Sequence, residues 1–218
     1  YVIPYGVAFK LVAVSGCATL PISFWAFGRL NRLPFPVPAM LSIGATIFLF
    51  DRSYAIYGGN IASTLAGEFA YAMSRSLAVL YLGVLGYGLR TGRARGWAAF
   101  LLALAALCHV IPALFVGLAT LVWLAVRPSI TALKYLATIG PVAALLTLWW
   151  FLPFVFRSGY QNHMGWTKLT DYATYLFTRQ LTDSSVRNYP DHRVMLALAI
   201  GGLLLALLMR QRALVFLG

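Results

Sequence analysis

Residues 51–75, DRSYAIYGGNIASTLAGEFAYAMSR, hold most of the groups in this chain that could do chemistry. They combine a charged pair (Asp51, Arg52), a Gly58–Gly59–Asn60 break and a carboxylate, Glu68, entering an apolar helix. A carboxylate is expensive in hydrocarbon, so one at a helix mouth is a candidate functional group. Glu68 could orient a substrate hydroxyl as a base or bind a cation. It equally suits a helix N-terminus, where negative charge is favourable. Arg75 lies on the same helical face, about 10 Å further along the axis, too far to pair with Glu68 but able to face one polar cavity with it. Asp51–Arg52 also has the plainer reading of a charge pair at a span end. Outside this stretch, His109 sits in a break between two apolar runs. A titratable ring there is unusual, although a lone histidine more often serves as a satisfied buried donor. The candidate catalytic residues are therefore Asp51, Glu68 and His109. The candidate substrate-binding residues are Arg52, Asn60, Arg75, Arg157, His163 and Lys168.

Other chemistries find no support. There is no Gly-rich phosphate loop, no Ser/His/Asp arrangement and no pair of catalytic carboxylates, which disfavours soluble nucleotide-driven reactions. His163, His192 and the nearby acids lack metal-ligand spacing. A divalent cation is the only cofactor considered, and it would have to be held by tertiary contacts. Cys17 and Cys108 lie in apolar segments without a CxxC and read as small buried hydrophobes.

The elements that must position these groups are membrane helices. The 218 residues are 61% hydrophobic and only 10% charged, against about a quarter charged in soluble domains. The net charge is +12, from seventeen Lys/Arg against five Asp/Glu. Such a balance usually points to nucleic acid. Here the basic residues sit in short connectors between apolar runs, the positive-inside pattern, so no nucleic-acid partner is expected. The chain opens on Tyr1 within an apolar region and stops at Gly218 as another begins, as expected of a single transmembrane domain, 1–218, cut from a longer polytopic protein.

In order, residues 6–30 predict a first span with a kink at Pro21, long enough to cross about 30 Å of hydrocarbon. A basic, proline-rich connector follows, then a short span over Pro38–Phe50. Ser63 and Thr64 are expected to cap a third helix with Glu68 near its first turn. That helix runs to about Leu89, and its Gly83, Gly86 and Gly88 permit close helix approach. Residues 97–126 are thirty long and interrupted by CHVIP. Pro112 disfavours helix at Ile111 and crowds the carbonyl of Cys108. One kinked crossing would put Arg127 and Lys134 on the side of the acids. A hairpin of two short helices turning near His109–Pro112 returns both to the other basic connectors, and the Lys/Arg bias favours it. Such half-length helices need protein or a wet cavity at their tips. A span over Tyr135–Phe156 ends in the aromatic belt WWFLPFVF. Residues 166–181 predict an amphipathic helix on the outer membrane surface, and Val194–Met209 a last span. Arg157, Lys168, Arg179, Arg187 and Arg193 are placed to hold the phosphate of a lipid-linked donor or, more commonly, ordinary lipid headgroups.

The run YGGNIASTLAGEFAYAMSRSLAVLYLGVL, then LALAALCHVIPALF, then WWFLPFVFRSGYQNHMGWTKLTDY, resembles a family of large polytopic bacterial membrane proteins identified as pyruvoyl-tetrahydropterin-synthase-related, common in actinobacteria. Despite that label they are similar to GT-C glycosyltransferases. The resemblance covers most of the chain and is most specific at STLAGEF. It implies an all-α GT-C-like bundle in the bacterial cytoplasmic membrane, with loops 51–67 and 157–193 external. It also implies an inverting transfer of a sugar from a polyprenyl-phosphate donor to a cell-envelope glycan or lipid acceptor. In that superfamily the key acid usually lies in the first external loop, before the point where this chain begins. Glu68 falls in the family-like segment, but no base is assigned to it by resemblance. Two other functions fit the same pattern: a transporter or flippase of lipid-linked glycans, and a non-catalytic subunit that scaffolds other membrane proteins. Paired broken helices in two similar halves would favour the transporter; the sequence shows none.

Overall fold

The computed structural model describes residues 3–51 and 58–160, with 200, 201 and 204. The chain divides into two compact units, Tyr1–Pro153 and Phe154–Gly218. Among the described residues the first unit is built from α-helices alone: α1 (Tyr5–Leu30), α2 (Val37–Leu49), α3 (Ile61–Leu65), α4 (Phe69–Thr91), α5 (Arg95–Cys108), α6 (Val110–Val126) and α7, which begins at Ile130 and ends at Phe156. Among the described residues of the second unit is a 3-10 turn at Ser158–Tyr160. Three helices, α1, α4 and α7, are long and apolar enough to cross a membrane, and α2, α5 and α6 are shorter apolar helices. The protein is an all-α membrane protein. The proposed amphipathic helix at 166–181 and the last span at 194–209 lie outside the described residues.

The first unit is assembled around α4, which packs on two opposite sides. At about 100° per residue, Ala72, Ser76 and Gly83 share one face, while Ser74, Ala78, Tyr81 and Leu85 share the face opposite. The first face receives α1. Gly16 of α1 lies so close to the backbone of Ala72 and Met73 that a Cβ there would collide with it, and a Cβ on Gly83 would come within 2.9 Å of the Phe27 Cα. Ser76 Oγ is 2.8 Å from Thr19 Oγ1 and 2.9 Å from Ser23 Oγ. These contacts climb both helices together, so α1 and α4 are parallel. Lipid tails are as apolar as leucine, so small residues and interhelical hydroxyl bonds supply the association that hydrophobic burial cannot.

The second face receives α5, α6 and the start of α7. α5 runs antiparallel to α4 after a tight connection in which Gly92, at φ +72°, caps α4. It offers Ala98, Ala99, Leu101, Ala103 and Ala105, all buried, to Ala78, Tyr81 and Leu85. Its end meets Ser74, whose hydroxyl donates to Ala105 O at 2.7 Å and His109 O at 3.0 Å. α6 then folds back along α4: Thr120 Oγ1 is 3.1 Å from Tyr81 Oη, two turns nearer the end of α4 than Ser74. α7 starts where α5 started, with Tyr135 Oη donating to Arg93 O at 2.9 Å. Residues 97–126 therefore form a hairpin and not one crossing rod, as the placement of Lys and Arg predicts.

Two details differ from the sequence reading. The break in the hairpin is one residue, His109, in extended conformation (φ −161°, ψ 132°), and Ile111 and Pro112 are helical. Pro112 sits in the first turn of α6, where an N–H has no intrahelical partner and its absence costs little. The third predicted helix is two helices, α3 and α4, separated by Ala66–Glu68, with Asn60 and not Ser63 or Thr64 as the side-chain cap of α3.

One end of the first unit thus carries Arg29, Arg32, Arg90, Arg93, Arg95, Arg127 and Lys134 in its connectors and helix ends, where the Arg90 guanidinium also donates to Leu30 O. Both described acids, Asp51 and Glu68, lie at the other end. If the α1–α4 contact carries this architecture, Gly16→Val should destabilise the purified protein by about 1–3 kcal/mol, the usual cost of overpacking. That lowers the melting temperature by about 2–12 °C for a chain of this size. Gly117→Ala, where a Cβ meets open space, should leave melting unchanged or raise it slightly. Equal melting of Gly16→Val and wild type would refute the close packing.

Candidate functional site

The acidic end is built where α2 stops, α3 lies, α4 begins and α5 gives way to α6. α2 stops at Leu49, and Asp51 follows with its side chain almost entirely buried. The chain returns at Gly58. Gly59 has φ +64°, and a Cβ there would lie 2.8 Å from the Tyr71 ring and 3.3 Å from the Ala72 Cα. Glycine is required by both the backbone conformation and the lack of space. Asn60 is completely buried. Its Oδ1 accepts from Ser63 N–H at 2.7 Å, and its Nδ2 donates to Asp51 O at 2.6 Å. One side chain therefore caps α3 and ties together the two ends of the 51–60 excursion. Ser63 Oγ closes the turn from within, accepting from Gly58 N–H at 3.1 Å.

Arg75 is aimed at this turn and away from Glu68. Its guanidinium donates to Gly58 O at 2.6 Å and stacks 3.8 Å above the centre of the Phe48 ring. A cation in an apolar bundle is held by a carbonyl and a ring face, both of which it needs when desolvated. Asn60 and Arg75, expected to bind substrate, thus have structural partners that already occupy them.

Glu68 occupies the N-cap position of α4 and is half-buried. Its N–H donates to Ser63 O at 2.9 Å and its carbonyl accepts from Ala72 N–H at 3.3 Å. Its carboxylate makes no cap bond to the helix. A charge here profits from the N-terminal end of the α4 dipole. His109 caps α6: its Nδ1 accepts from Ile111 N–H at 3.3 Å. A neutral ring so bonded carries its proton on Nε2, which makes that edge a donor. The Tyr71 ring meets the imidazole edge to face, with centroids 5.0 Å apart. Tyr71 therefore links the Gly59 turn on one side to the α5–α6 break on the other. Next to Asp51 opens a groove of about 380 Å³, lined by Leu49, Phe50, Asp51, Ile61, Ala62 and Leu65. It is apolar apart from the one acid.

The described arrangement offers a carboxylate near solvent, a second one beside an apolar groove, and an imidazole donor in the mouth of a broken hairpin. It suits proton transfer to or from a hydroxyl presented by an amphiphilic molecule. Among the described residues no group of three or more His, Cys, Asp or Glu is placed to hold a metal ion. Arg157, in the second unit, lies 5.9 Å from the centre of the Tyr160 ring. Arg52, His163 and Lys168 lie outside the described residues. Sequence reasoning missed Tyr71 and Ser74. Ser74 leaves a trace in the sequence: serines at 74 and 76 point to opposite sides of an otherwise apolar helix.

No family model, curated protein or solved structure matches the chain.

Two substitutions test how the site is held. Ser74→Ala removes the donor shared by two carbonyls and should cost about 1–3 kcal/mol. Alkylation of Cys108, beside the break, should speed up in proportion. Asn60→Ala should cost about 1–2 kcal/mol as a lost cap and make residues 51–60 more sensitive to protease. Wild-type alkylation and proteolysis in both variants would show that neither side chain holds the site.

Proposed function

We propose that the acidic end is the working face of a membrane-embedded glycosyltransferase of the GT-C kind. It transfers a sugar from a polyprenyl-phosphate carrier to a glycan or lipid acceptor of the cell envelope. The observation that carries this reading is the gathering of Asp51, Glu68 and His109 at one end of the bundle by a broken hairpin and a buried Asn60 clasp, beside an apolar groove. The resemblance of the STLAGEF segment to GT-C-like membrane proteins gives the arrangement its chemistry. By the Lys/Arg bias, this end faces outward from a bacterial cytoplasmic membrane and the chain crosses that membrane several times.

In the proposed reaction the acceptor oxygen attacks the anomeric carbon from the face opposite the carrier. The bond from carbon to the phosphate oxygen breaks, and the polyprenyl phosphate leaves with the electron pair. Glu68 takes the acceptor proton, since its carboxylate is half-exposed and has no cap bond. His109, through Nε2–H, steadies either the sugar or the leaving phosphate. Asp51 orients the acceptor at the groove. Positive charge for the donor phosphate is proposed for Arg52, which follows Asp51 directly in the sequence.

The test is sugar transfer in membranes that contain the full-length protein and a polyprenyl-phosphate sugar. Glu68→Gln should lower the rate by about 10²–10⁴-fold, the usual contribution of a positioned base, with unchanged melting. His109→Gln, which keeps an acceptor for the Ile111 N–H, should lower it less. Wild-type transfer by Glu68→Gln removes Glu68 from the mechanism. Movement of the lipid-linked sugar across the bilayer without any transfer overturns the proposal in favour of a flippase.

A further inference from the structure

The basic end has a chemistry of its own, independent of sugar transfer. None of its arginines or its lysine has a carboxylate partner among the described residues, because both described acids lie at the other end. Arg90 is engaged with a backbone carbonyl. Arg95 remains exposed, with its guanidinium 5.4 Å from the centre of the Tyr135 ring. So much like charge in one layer needs counter-charge from outside the chain.

Next to Arg95 lies a groove of about 530 Å³, lined by Ala94, Arg95, Gly96, Trp97 and Phe100. Trp97 and Phe100 are 65% and 46% exposed. Their rings pack edge to face with centroids 6.1 Å apart and form an apolar wall. A soluble anion would leave that wall in water. A zwitterionic lipid would offer its phosphate but bring a further cation into a layer already rich in positive charge. A molecule with an anionic head and an apolar body satisfies both, and a bilayer supplies one at this depth, where tryptophan also favours the interface.

We propose that this groove binds an anionic phospholipid. The Arg95 guanidinium pairs with the headgroup phosphate through its planar fork of donors. The glycerol end and the start of an acyl chain lie along Trp97 and Phe100, and the rest of the chains stays in the bilayer.

The experiment uses the full chain in mild detergent. Retained lipid is measured by native mass spectrometry after titration with phosphatidylglycerol or with phosphatidylcholine of the same acyl chains. The wild type should retain phosphatidylglycerol in clear preference. Arg95→Gln should cut that preference about fivefold, the effect of one basic residue at a lipid surface. Arg29→Gln, the same charge change at the same end but away from the groove, should cut it less than twofold. Trp97→Ala should shorten retention of both lipids. Equal losses for Arg95→Gln and Arg29→Gln would mean a diffuse field without a site, and would overturn the proposal. So would an unchanged preference in Arg95→Gln. A photo-crosslinker at position 97 should capture lipid in native membranes; exclusive capture of a protein segment would show the groove to be a protein interface and overturn it too. Sugar transfer at the other end is read by a separate assay, so either proposal can fail alone.

Discussion

One serine hydroxyl makes the chain reversal at His109 possible. A helix that stops inside an apolar bundle leaves carbonyls that no water can reach, and each costs several kcal/mol in hydrocarbon unless a partner is found. Ser74 supplies a partner to His109 O in the break itself and a second donor to Ala105 O, which also accepts from His109 N–H. His109 uses its own ring to satisfy the first turn of α6. With the break braced in this way, α6 folds back and α7 begins beside Arg93. The separation of charge follows from this. In a continuous rod over the same residues, Arg127 and Lys134 would emerge among the acids. The broken rod puts them with the other cations and leaves His109 among the groups of the opposite end.

The grip of α4 on both sides explains a pattern that is misleading in the sequence. From Ala72 to Ala78 every second residue is buried: Ala72, Ser74, Ser76 and Ala78. Alternation of this kind ordinarily signals a strand. Here it arises because 72 and 76 face α1, while 74 and 78 face α5. Polar and small side chains then serve on both sides. Ser76 joins the hydroxyls of α1, Ser74 caps α5, and the glycines let a neighbour come to backbone distance. By contrast α7, within the first unit, buries only Ala132, Tyr135, Ile139 and Ala143, a single stripe. Most of its surface is left to lipid or to other protein.

Much of the fold was legible in the sequence, because bilayer physics writes coarse rules into composition. Long apolar runs gave α1, α4 and α7, and the Lys/Arg bias chose the hairpin over the rod for 97–126. The glycines of α4 marked its close approaches. Legibility failed where a residue has two physically acceptable uses. Pro112 can break a helix or open one, and only the position of the preceding break decides. Ser63 and Thr64 are good caps in isolation. Asn60 took that role because its amide could also reach Asp51 O, a partner nine residues away that local rules do not see. The α3–α4 division is local and was missed: Gly67 at φ +114° ends α3 as a left-handed glycine stop, with its N–H on Thr64 O and Glu68 N–H on Ser63 O.

The same competition between uses narrows the proposed site. In an apolar protein each polar side chain is first claimed by backbone groups that water cannot serve. Asn60 and Arg75 are claimed in this way, and so is the Nδ1 edge of His109. What is left to give or take a proton is found by subtraction: the Nε2 edge of that imidazole and the Glu68 carboxylate, which caps no helix. The structural claims also fix the imidazole and the backbone that carries the carboxylate. His109 cannot rotate without uncapping α6, and the Glu68 backbone sits at the start of α4, which is pinned against α1 by glycine-sized clearances. Asn60 and Arg75, which looked like substrate ligands in the sequence, thus serve as part of the frame around the proposed reacting groups.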